Sequence, residues 1–279
     1  MNLPFRKLSN RGSSTRWSVI CLILFLLPGF TSCGVAREKP FVDPEADETI
    51  DISKIPLYDS GTFRGYWEMP DGQIVSYTIS VPETYSNGQA VPVVLSLHYG
   101  TEQITPHFGD LMLRGMTQPA MQELDPIIIA PDVYQKTWVN IRCEERVMAL
   151  MNEVCNTFNV DRKKVAVVGY SLGAEGAWHL AGKYPDFFTA AIPVAGHPPS
   201  DYLKTNWTVP TLAINSTADE IFPFKFVDDA VKQLQARGDQ VQLFALDEIS
   251  HYESNKFVEP MTEAATWIKQ VWQANADQQ

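Results

Sequence analysis

The chain has 279 residues, 45% of them hydrophobic and 20% charged, a globular balance that excludes overall disorder and leaves room for a sizeable core. Its net charge is −11 at pH 7, and the first 32 residues hold Arg6, Lys7, Arg11 and Arg16 and no acid, so the rest is more acidic still. Such a surface repels phosphate backbones and argues against a nucleic-acid partner.

The N-terminus reads as an address rather than as fold. Basic residues precede the apolar run Val19 to Leu27, then Pro28-Gly29, the small residues Thr31-Ser32, and Cys33. Basic, apolar, small is the order of a secretory signal, here residues 1–32. The run is shorter than the roughly twenty residues of an ordinary membrane span, although an uncleaved anchor helix starting near Trp17 is the alternative. Phe30-Thr31-Ser32-Cys33-Gly34 resembles a bacterial lipobox, with Phe30 where Leu, Val or Ile is usual. That resemblance implies a lipid on Cys33, contact with the membrane through that anchor alone, and an exported, periplasmic or outer-surface lipoprotein. A plain cleaved signal is the other reading. Residues 33–58, rich in Pro, Asp, Glu and Lys, are expected to form a tether, with the folded domain over 59–275.

The folded part opens with two β-rich runs, Thr62 to Met69 and Ile74 to Val81, joined by the turn Pro70-Asp71-Gly72. Short continuous apolar runs follow: Val91 to Leu97, Pro126 to Ala130, Val165 to Gly169, Ala190 to Val194, Val209 to Ile214 and Val241 to Leu246. Continuous runs suit strands buried on both faces. Helical patterns lie between them: Arg142 to Phe158, Ser171 to Tyr184, Phe224 to Ala236, and Thr262 to Trp272 at the end. The alternation predicts an α/β fold with a mostly parallel central sheet, helices on both faces and an antiparallel hairpin at the N-terminal edge. Cys143 and Cys155 share one predicted helix, about 18 Å apart, and read as free core thiols.

The run from Val165 ends in Gly169-Tyr170-Ser171-Leu172-Gly173, a G-x-S-x-G between a strand and a helix. That context lifts a serine above the carboxyl edge of a sheet and aims a helix N-terminus at it. A serine nucleophile needs an imidazole to take its proton and a carboxylate to orient the imidazole. His251 follows the last strand; His197, after an earlier strand, is the second choice, and His179 lies within the elbow helix. Asp219, in the loop after the run ending Ile214, is the expected acid, with its neighbour Glu220 expected to point elsewhere.

From about Val91 onward the chain resembles the carboxylesterase, feruloyl-esterase and depolymerase branch of the α/β-hydrolase superfamily. Ser171, Asp219 and His251 fall on its motif positions, Gly176-Ala177-Trp178 fits its elbow helix, and Asp161 to Val165 resembles the lead into its nucleophile strand. The resemblance implies a serine esterase acting on small-molecule or polymer-linked esters, with Leu172 giving one oxyanion donor. The family's His-Gly here reads His98-Tyr99-Gly100-Thr101, so the second donor lies with Tyr99 or Gly100. Trp138 is one candidate to wall the substrate pocket, with a core or lid role as the alternative, and His98 is expected to brace its loop. A dienelactone-type hydrolase would want cysteine at position 171. The competing readings are a serine peptidase of related fold, which would usually carry a further large domain, and a lipid-anchored binding protein on an inactive hydrolase fold. No C-x-x-C, H-E-x-x-H or Gly-rich phosphate loop points to a metal or a cofactor, and the oligomeric state is left open.

Overall fold

A computed structural model describes residues 51–86, 88–133, 137–199 and 206–277. The expected signal segment, Cys33 and the tether up to residue 50 lie outside the described residues, as do Tyr134, Gln135 and Lys136. Eight strands form one sheet: β1 (Gly61–Glu68), β2 (Ile74–Val81), β3 (Val91–Leu97), β4 (Ile127–Pro131), β5 (Val160–Tyr170), β6 (Ala190–Val194), β7 (Thr211–Ser216) and β8 (Val241–Leu246), in spatial order 1-2-4-3-5-6-7-8. β1 pairs antiparallel with β2, and β2 with β4; every other pairing is parallel. The hairpin turns at Pro70-Asp71-Gly72, where Gly72 takes φ 82° and its N–H reaches the carbonyl of Met69 at 2.8 Å.

The helices are α1 (Gly109–Met112), α2 (Gln118–Ala120), α3 (Ile141–Thr157), α4 (Leu172–Lys183), α5 (Phe224–Ala236) and α6 (Val258–Ala276). The sheet's alternation divides the core between its faces. Val93, Leu95, Val165, Val167 and Ala213 face a cluster built with Leu150, Val154, Trp178 and Val231 of α3, α4 and α5. Val94, Ala166, Val168 and Ile214 face a second cluster with Met112, Met261, Ile268 and Trp272 of α1 and α6. α3 begins at Asn140, whose side chain accepts the Cys143 N–H. Cys143 and Cys155 are both buried, on one continuous helix that keeps them out of disulfide reach of each other.

Three elements differ from the sequence expectation. α1, a π-helical turn over Leu113–Thr117 and α2 form the crossover from β3 to β4, where no helix was expected. Gly109, Gly115 and Pro119 break the helical signal there; the wide turn accommodates a proline that a regular helix interior would reject. The strand at Val165 starts earlier, at Val160, with a register shift opposite Val91 and Val93 that lets four polar residues enter it. The end of the expected tether belongs to the folded part. Ile55 is buried in the core, Tyr58 stacks on Phe63 at 4.5 Å, and the Glu68 N–H bonds to the carbonyl of Ile52 at 2.8 Å. Ile52, Ile55 and Leu57 are interrupted by Ser53, Lys54 and Pro56 in a run too short to establish a period, so the packing was hidden in the sequence.

Candidate active site

β5 ends and α4 begins in a single sharp turn at Ser171, which takes φ 56° and ψ −120°. This backbone belongs to the first corner of a type II′ turn, ground that glycine favours and a side chain resists. Two contacts make the turn possible only with the sequence found. A Cβ added at Gly169 would lie 2.0 Å from the carbonyl oxygen of Gly173, and one at Gly173 would lie 2.1 Å from that of Leu97. The Ser171 N–H bonds to the carbonyl of Val194 at 2.9 Å, tying the turn to the end of β6.

His251 comes from the loop after β8 and Asp219 from the loop after β7, so neighbouring parallel strands deliver both to the same edge as Ser171. His251 Nε2 lies 2.9 Å from Ser171 Oγ, and His251 Nδ1 lies 3.0 Å from Asp219 Oδ2. A carboxylate only accepts, so Nδ1 carries the imidazole proton and Nε2 is left to accept from the serine hydroxyl. The other oxygen, Asp219 Oδ1, accepts the N–H groups of Ile221 at 3.0 Å and Phe222 at 2.7 Å, which locks the carboxylate plane. Asp219 and His251 are both buried, while Ser171 remains half-buried and reachable.

The remaining sequence candidates fall around this centre. The Leu172 N–H opens α4, where no acceptor exists within the helix. Gly100 lies against Leu172, whose Cδ2 would be 3.2 Å from a Cβ at position 100, so the loop carrying Tyr99 and Gly100 meets the helix start. His98 anchors that loop from below. Its Nδ1 bonds to the carbonyl of Tyr99 at 2.8 Å and its Nε2 accepts the Val133 N–H at 3.2 Å, fixing the neutral tautomer. Burial pushes the His98 imidazole down to about 4, against the opposing bond to Tyr99. His197 points its Nδ1 at the carbonyl of Pro198, 3.1 Å away, and its ring meets Phe222, which in turn leans on His251. His179 bonds Glu144, a buried acid also held by Lys183 and Tyr184, and braces α3 against α4.

Of the two readings of Trp138, pocket wall or core, the pocket wall is corrected to the core. Its indole is 1% exposed and faces the core, donating through Nε1 to the carbonyl of His98 at 3.0 Å. Gly176 of the elbow helix makes the space: a Cβ there would stand 2.6 Å from Trp138 Cβ. An indole with a satisfied N–H gains more from this burial than from lining an open pocket.

Two contributions escaped sequence reasoning. Tyr170, the variable residue before Ser171, donates its hydroxyl to the carbonyl of His251 and stacks its ring on the imidazole at 5.5 Å and 22°. Glu220, rather than pointing away, accepts the backbone N–H of His251 at 2.9 Å. Among the described residues no three metal-ligating side chains converge, and no helix is long and apolar enough to cross a membrane.

Known proteins share this frame. Cutinase 1 of Thermobifida cellulosilytica is 35% identical over 88 residues, which is 28% of this chain and 32% of the cutinase. The chain spans less than a third of the length of the curated relatives it matches. Among solved structures, a thermostable esterase superposes with a TM-score of 0.64 at 18% identity, covering 75% of this chain and 62% of that one. A ferulic acid esterase does so with 0.60 at 13%, covering 77% and 100%. At such low identities these likenesses show the fold alone, that of the α/β-hydrolases. Ser171 in place of cysteine argued against a dienelactone-type chain, and that expectation is overturned. The match to that family rests on the whole stretch from β4 to α6 rather than on one position. Residues 129–277, more than half of the chain, fit the dienelactone hydrolase family, and the chain belongs to it.

Proposed function

We propose that the protein is a serine esterase that hydrolyses carboxylic esters through an acyl-enzyme. The observation that carries this reading is the continuous relay of 2.9 Å and 3.0 Å from Ser171 Oγ through the His251 ring to Asp219. In the first half-reaction Ser171 Oγ attacks the ester carbonyl carbon as its proton passes to His251 Nε2. Asp219 stabilises the imidazolium by holding Nδ1–H. The carbonyl oxygen becomes an oxyanion and draws on the Leu172 N–H and on the backbone of the Tyr99–Gly100 loop. Collapse breaks the bond to the leaving oxygen, which takes the proton from Nε2 and departs as the alcohol. Water then repeats the sequence on the acyl-Ser171 ester and releases the acid. Family membership and the segment shared with a cutinase support ester chemistry. The likeness to a cutinase, with the half-buried rings of Tyr99 and Phe222 and the exposed ring of Tyr252 beside His251, supports esters carried on polymers or carbohydrates. An exported enzyme held to the cell envelope by a lipid on Cys33 would meet such substrates outside the cytoplasm.

Hydrolysis of p-nitrophenyl acetate and butyrate tests the chemistry. Ser171→Ala, Asp219→Asn and His251→Ala should each remain folded, and Ser171→Ala should lower kcat by about four orders of magnitude or more. Wild-type turnover in folded His251→Ala would remove it from the mechanism and make His197→Ala the next variant.

A further inference from the structure

The loop that carries His251 is framed partly by its own turn, where the Ser250 N–H reaches Glu253 Oε2 at 3.1 Å and the Glu253 N–H reaches the Ser250 carbonyl at 3.0 Å, and partly by its neighbours. Between the end of β8 at Leu246 and the turn at Ser250, the Glu248 and Ile249 N–H groups go to side chains at the end of β7 and just after it. The Glu248 N–H, on a residue at φ 59°, reaches Thr217 Oγ1 at 3.4 Å, and the Ile249 N–H reaches Ser216 Oγ at 2.9 Å. Glu220 closes the series with both carboxylate oxygens. Oε1 accepts from the Ser250 hydroxyl at 2.6 Å and Oε2 from the His251 N–H at 2.9 Å. On the far side of the same residue, the Tyr170 hydroxyl donates to the His251 carbonyl. Every hydrogen-bonding group of His251 is therefore held: ring by Ser171 and Asp219, backbone by Tyr170 and Glu220.

We propose that Glu220 is a positioning residue: its two-pronged hold on Ser250 and His251 sets the backbone from which the imidazole reaches both Ser171 and Asp219. The inference rests on the serine-esterase reading for its kinetic consequence, though not for its geometry. Consecutive acids divide one task, Asp219 holding the ring and Glu220 the peptide. Glu220 is exposed, so desolvation opposes its charge less than its hydrogen bonds favour it. The Ser250 hydroxyl and the His251 N–H hold it below the usual carboxylate range, and the grip persists into mildly acidic solution. Misplacing a catalytic group by about 1 Å is enough to slow a reaction by about a hundredfold, because the reacting atoms leave their attack geometry.

Two substitutions in the full-length protein separate position from charge. In Glu220→Ala both bonds are lost. In Glu220→Gln the amide oxygen keeps the His251 N–H, and the amide NH2 donates to the Ser250 hydroxyl, which turns from donor to acceptor. Glu220→Ala should lower kcat by about ten- to a hundredfold with KM within about twofold of wild type, and Glu220→Gln should recover to within about threefold. The second readout needs no turnover: the downfield proton resonance of His251 Nδ1–H should be sharp in wild type and Glu220→Gln and broadened or lost in Glu220→Ala, with circular dichroism unchanged in all three. Wild-type kcat and an intact resonance in Glu220→Ala would overturn the proposal. So would Glu220→Gln as slow as Glu220→Ala, because charge would then be the operative property. If the wild-type protein shows no Ser171-dependent turnover, the esterase reading has failed, and the resonance alone decides the role of Glu220.

Discussion

Replacing Ser171 by glycine should make the protein more stable than replacing it by alanine. Both variants lack the hydroxyl, so both lose its bond to His251, and the comparison isolates the backbone. At φ 56° and ψ −120° a side chain is held in sparsely populated territory, which costs about 1–3 kcal/mol. Alanine retains that strain and glycine releases it. Glycine also loses about 0.5–1 kcal/mol through the greater freedom of the unfolded chain. The balance favours Ser171→Gly by about 1 kcal/mol, or about 2–4 °C in Tm for a domain of this size. Elsewhere in a helix or strand the same exchange would run the other way by a similar amount. Calorimetry of the two variants at neutral pH, with denaturant midpoints as a check, measures the difference. Ser171→Gly melting below Ser171→Ala would mean that the turn stores no strain, and that the hydroxyl is presented without it.

Two further outcomes follow from burial. Trp138→Ala should cost about 3–5 kcal/mol of stability, as expected for emptying a large core site, and at a temperature where it stays folded it should leave KM unchanged. A raised KM with wild-type stability would return the indole to the substrate pocket. His98 gives a pH dependence of definite sign. Burial keeps its imidazole neutral in the folded protein down to about 4, whereas the unfolded chain takes up the proton near 6.5. The unfolded state binds more protons between those values, so this contribution is complete above pH 6.5 and is lost as pH falls towards 4. Between pH 7 and 4 the wild type should lose about 3 kcal/mol more unfolding free energy than His98→Gln. Parallel losses in the two proteins would show that His98 charges freely in the fold.

Much of this structure was legible because the physics that builds it is local. Buried runs such as Val91 to Leu97 announced parallel strands, and Phe224 to Ala236 is bounded in the sequence as it is in the structure. The turn at Ser171 was legible because two glycines at fixed offsets answer two close backbone approaches, and the convergence of Asp219 and His251 on it followed from strand order. What stayed hidden depends on contacts between distant parts of the chain. Trp138 could not be placed without knowing that Gly176 leaves a space under the elbow helix. Glu220 looks like any solvated loop acid until the loop after β8 is laid beside it. Tyr170 occupies a position that the motif leaves free, so nothing in the pattern marked its hydroxyl. The helix between β3 and β4 fails for the opposite reason: its local signals, two glycines and a proline, point away from helix, and burial of Met112, Leu113 and Met116 overrides them.

The central claim is that Ser171 is activated by His251. A fluorophosphonate ester, which reacts with an activated serine by phosphonylating its oxygen, tests this without any assumption about substrate. Intact-mass analysis and peptide mapping should find one phosphonyl group on Ser171 in the wild type, none in Ser171→Ala, and labelling at least about a hundredfold slower in folded His251→Ala. Labelling at another residue, or equal rates with and without His251, would contradict the account.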